Sequence, residues 1–151
     1  MHNTKIYRYL AYAAVIFAAA LIEYTPFMVE IFGVYPSPLI ILVITVSALE
    51  SETVSGVFGL FAGIFADIYS VNGNGYHAIM YMLTGLICSL LLSRVFQRNF
   101  ISLTVTGGTA LIINSFFDTV TQARVTSGLF EIYVNNGLKA SVVNLVLLFP
   151  Y

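Results

Sequence analysis

The chain has 151 residues, 59% of them hydrophobic and 9% charged, with a net charge of −1. A soluble domain carries about 25% charged residues, so six basic and seven acidic side chains cannot hydrate a globule this apolar. The bilayer must be the solvent. The charge balance excludes a basic nucleic-acid surface. The lone Cys88 excludes an internal disulfide and reads as a small packing residue. His2 and His77 stand apart and no CxxC or HExxH spacing occurs, so no metal and no cofactor are expected.

A transmembrane helix needs about 20 apolar residues. Six segments qualify as candidates, over residues 7–24, 37–49, 53–69, 76–92, 100–119 and 132–149. Lys5 and Arg8 ahead of an Ala18-Ala19-Ala20 triplet resemble a signal peptide. The apolar character of everything that follows favours a retained first span. The second segment is short, bounded by Pro36 and Pro38 before it and Glu50 after it. It is either barely tilted, buried by neighbours, or preceded by an interfacial piece at residues 27–32. Glu50-Ser51-Glu52 forms a short turn into the third segment. Between the third and fourth, Val71-Asn72-Gly73-Asn74-Gly75 is a strong reversal signal, because Asn and Gly tolerate positive φ. A tight antiparallel hairpin is expected there. Asn135, Asn136, Gly137 and Lys139 interrupt the sixth segment.

Basic residues orient the bundle. Lys5 and Arg8 precede the first segment, and Arg94 and Arg98 lie between the fourth and fifth, which with six spans is the same side. That side is expected to be cytoplasmic, with both termini on it. Arg124 is the exception, in an outer loop. Tyr24 with Phe27, Tyr69 with Tyr76, and Phe130 with Tyr133 would form the outer aromatic belt.

Residues four apart share a helix face. Ser55, Gly59, Gly63 and Asp67 form one polar or small row; Ser102, Thr106, Ala110, Asn114 and Asp118 form a second; Asn136, Ala140 and Asn144 form a third. Small residues let helix backbones approach in lipid, so each row is expected to face protein. Gly56, Gly59, Gly63, Gly85, Ala110 and Asn114 are the candidate packing or partner-docking positions. For Gly59 and Gly63, packing within the chain competes with docking of another membrane protein. Intramembrane charge is costly and usually paired, so Lys139 is expected to neutralise Asp67 or Asp118 near the outer ends. No nucleophile elbow or cofactor fingerprint accompanies these acids, and a non-enzymatic role is expected.

The succession Pro36-Ser37-Pro38, an apolar run to Leu49, then Gly56, Gly59, Gly63 and Asp67, then Gly75 and Gly85, resembles the rod shape-determining protein MreD family. The sparse charge and the basic turn from Arg94 to Arg98 fit it too. The likeness is best between Pro36 and Arg98 and thins afterwards to Asn135 or Asn136 and Pro150. It implies an all-α membrane protein, a single bundle of six transmembrane helices resembling the S-component fold of energy-coupling transporters. It further implies a scaffold in the bacterial inner membrane that binds MreC and works with MreB, RodA and a class B penicillin-binding transpeptidase in lateral peptidoglycan synthesis. A homodimer stays open. The alternative is an S component itself, a vitamin binder, for which Ala14 and Ala18 have the docking spacing and Tyr69, Asn72, Asn74 and His77 supply polar groups.

Overall fold

A computed structural model of the chain describes residues 2–25, 36–70, 74–95, 99–123, 134 and 137–148. The described residues are all-helical: α1 (His2–Glu23), α2 (Pro38–Leu49), α3 (Glu52–Tyr69), α4 (Tyr76–Leu90), a wider π-helical turn (Leu91–Val95), α5 (Phe100–Ala123) and α6 (Leu138–Leu148). Among the described residues, three stretches are long and apolar enough to cross a membrane, Lys5–Glu23, Glu52–Tyr69 and Tyr76–Val95. The 27–32 piece, the Asn72-Gly73 part of the reversal, Arg98, Arg124, Phe130, Tyr133, Asn135, Asn136 and Pro150 lie outside the described residues.

The α2 helix settles the question its shortness raised. It has 12 residues, about 18 Å at 1.5 Å per residue, less than the hydrocarbon thickness of about 30 Å. Leu39, Val43 and Ile44 are completely buried, and α2 touches all five other helices. It is the axis of the bundle. Lipid-facing length matters little for a helix wrapped in protein, so burial by neighbours is the observed solution. Pro38 opens it, where the missing N–H is harmless and φ is already helical.

The α3–α4 hairpin is the tightest element of the fold. Ser55, Gly59, Gly63 and Asp67 are all buried, as their four-residue spacing predicts. A Cβ at Gly59 would fall against the carbonyl of Tyr81, 2.8 Å from its carbon, and one at Gly63 would lie 2.6 Å from the Ala78 nitrogen. A Cβ at Gly85 would lie 3.0 Å from the Ser55 carbonyl carbon. Each four-residue step along α3 therefore meets a four-residue step back along α4, backbone on backbone. Of the two expectations for Gly59 and Gly63, the geometry matches packing within the chain, since both lie against the α4 backbone. Gly56 is buried as well, with its Cβ position 2.7 Å from Leu86 Cγ. At the turn, Gly75 adopts φ 73°, the left-handed conformation that favours glycine just ahead of α4.

Candidate functional site

The two ends of the bundle differ in chemistry. At one end Arg8 Nη2 lies 2.8 Å from Glu50 Oε1 and Arg94 Nε lies 3.3 Å from Glu52 Oε1. The Ser89 hydroxyl donates to the Glu50 carbonyl at 2.9 Å, tying α4 to the α2–α3 turn. The first helix and the π-helical turn after α4 thus bring their arginines to one end. Glu50 is only 5% exposed, and sequence reasoning had seen it merely as a turn residue.

The opposite end gathers Glu23, Asp67, His77, Asp118 and Asn144. Proline explains two of these contacts. Pro36 and Pro38 have no N–H, so Ser37 and Leu39 carry the donors at the start of α2. Asn144 Oδ1 accepts from the Ser37 N–H at 2.9 Å, and Glu23 Oε2 accepts from the Leu39 N–H at 3.1 Å. Glu23 Oε1 also accepts from the Ser37 hydroxyl at 2.9 Å. One helix start is thereby capped from α1 and α6 at once.

Asp67 plays the same part for α4. Its Oδ1 accepts from the His77 N–H at 3.1 Å and its Oδ2 from the Ala78 N–H at 2.9 Å, while His77 Nδ1 lies 2.9 Å from Oδ1. An acid belongs at this position because the row that brings Gly63 onto Ala78 carries the next member onto the first turn of α4. There the free amides and the positive end of the helix dipole favour an anion. The partner of Asp67 is accordingly His77, not Lys139, which sits exposed on α6. His77 Nε2 lies 3.7 Å from Asp118 Oδ1 on α5, so one imidazole spans two carboxylates.

On α5, Asn114 is buried and donates to Thr84 Oγ1 at 2.9 Å, joining α5 to α4. Ala110 is half-buried and packs against the core. Ser115 donates to the Gly137 carbonyl at 2.7 Å. All six described helices contribute to this end. Tyr24 stacks on Tyr69 beside it, with ring centroids 4.2 Å apart.

A family model for the rod shape-determining protein MreD matches residues 3–149, nearly the whole chain. The chain belongs to the MreD family. It is a rod-shape-determining membrane protein. No curated protein and no solved structure matches it. The four-residue row in the sequence marks Gly59, Gly63 and Asp67, but nothing periodic marks Glu23 or joins His77 to Asp67. The available signal was the Pro36-Ser37-Pro38 triplet, whose remaining donors demand acceptors from elsewhere.

Proposed function

We propose that this chain is a non-enzymatic scaffold of the bacterial cell-elongation machinery, built as a bundle of six transmembrane helices of the S-component type in the cytoplasmic membrane. The observation that carries the reading is the MreD-family match over residues 3–149. Both termini lie in the cytoplasm in this reading; Arg8 and Arg94 at a common end of the bundle support that orientation. The scaffold binds MreC and acts with MreB, RodA and a class B penicillin-binding transpeptidase in lateral wall synthesis. Since Gly59 and Gly63 are turned against α4, recognition of MreC falls to other helix faces.

Depletion of the protein in its native bacterium tests this. Rods should round up, and affinity-tagged chain should recover MreC from solubilised membranes. Cells that stay rod-shaped on depletion refute the function, and cysteines at positions 5 and 94 labelled from opposite sides of the membrane refute the topology.

A further inference from the structure

Where the helices converge at the acidic end they leave a cavity of about 190 Å³, walled in part by Glu23, His77, Tyr81, Asn114, Asp118 and Asn144. Two amides in that wall are only 4% and 7% exposed, Asn114 and Asn144. Their orientations are fixed by main-chain partners. Asn114 Nδ2 donates to the Ala110 carbonyl at 2.9 Å, which can only accept, and Asn144 Oδ1 accepts from the Ser37 N–H, which can only donate. Asn114 therefore presents Oδ1 and Asn144 presents Nδ2. Among the described residues neither atom has a hydrogen-bond partner, and both belong to side chains that line the cavity. An acceptor and a donor thus stand open on one cavity, available to a bound molecule.

The sign of that occupant follows from the wall. Glu23 and Asp118 contribute carboxylates, and among the described residues no Lys or Arg lines the cavity. Anions are disfavoured. No group of three or more metal-ligating side chains is placed to hold an ion among the described residues. We propose that this cavity binds a primary ammonium group, either of a small free amine or of an amine-bearing phospholipid headgroup. An ammonium has three donors, which Asn114 Oδ1 and the two carboxylates can accept. Asn144 Nδ2 then donates to an oxygen carried a few bonds away, and Tyr81 adds an aromatic ring to the same wall. This binding goes beyond the scaffold role and stands or falls without it.

The test uses the full chain in phosphatidylglycerol nanodiscs, titrated with ethanolamine in a calorimeter. Saturable binding of one equivalent is expected, with no binding of acetate or glycerol. Ala140→Phe fills the cavity without removing a hydrogen bond, and Asp118→Asn removes one charge at constant shape; each should weaken binding by about tenfold or more. In phosphatidylethanolamine nanodiscs, a fall in apparent affinity identifies the lipid headgroup as the resident, whereas an unchanged affinity identifies the dissolved amine. Absence of saturable ethanolamine binding overturns the proposal, as does equal binding of acetate or glycerol. Undiminished binding by Ala140→Phe does so too, and if that variant fails to fold, undiminished binding by Asp118→Asn decides in its place.

Discussion

Replacing Gly59 by alanine gives a prediction whose sign is unusual. In an ordinary helix interior the change stabilises by roughly 0.8–1.0 kcal/mol, because glycine has more chain entropy to lose. Here the new Cβ would sit 2.8 Å from the Tyr81 carbonyl carbon and 3.1 Å from Met82 Cα, both backbone atoms that cannot rotate aside. Carbon pairs are most favourable at about 3.5–4.0 Å, so α4 must retreat by something near 1 Å. A gap of 0.5–1 Å forfeits about a quarter to a half of each dispersion contact along the interface. Overpacking of this kind costs about 1–3 kcal/mol, leaving a net destabilisation of up to about 2 kcal/mol after the propensity gain. Gly63→Ala should behave alike, and the double variant should cost less than the two combined, since one retreat relieves both clashes. Equilibrium unfolding in mixed micelles measures all three. Gly108→Ala is the reference, because its Cβ would meet only the movable Leu145 Cδ1 at 3.3 Å. A Gly59→Ala protein as stable as the Gly108→Ala reference refutes the backbone-contact argument.

Asp67→Ala should lower stability by about 2 kcal/mol, through loss of the acceptor for the His77 and Ala78 amides, with Asp67→Asn costing about half as much; the same unfolding assay would reject the capping role if Asp67→Ala matched wild type. Glu23→Ala should speed amide hydrogen exchange at Leu39, whose N–H it accepts at 3.1 Å, and an unchanged rate would dismiss that bond. Arg8→Gln should cost about 1 kcal/mol, a modest figure because the arginine is 50% exposed although Glu50 is buried. Pairing it with Glu50→Gln should recover part of the loss, and strictly additive costs would show the two groups uncoupled.

Much of the fold was legible because its code is periodic. Small residues at intervals of four mark a face without any knowledge of the partner, and Ser55, Gly59, Gly63 and Asp67 duly share one buried side of α3. Which helix receives that face was supplied by the short turn ending at Gly75. Long-range polar contacts carry no such period. Glu23 meets Leu39, and Asn144 meets Ser37 across 107 positions of chain; only the unfolded donors beside two prolines hint at either. Charge alone makes Lys139 the counter-group expected for Asp67 or Asp118. For Asp67 the structure supplies main-chain amides and an imidazole already at the head of the next helix, which requires no charged stem to cross the bundle.

The pairing of α3 with α4 also has a meaning for how the molecule is made. The two helices are joined by residues 70–75, and closing so short a connection costs little entropy. Their mated surfaces need nothing from downstream sequence. A nascent polypeptide that has emerged as far as Val95 already holds every atom of this zipper and can enter the bilayer as a finished pair. The later helices then arrive against a wall that is standing before they are translated.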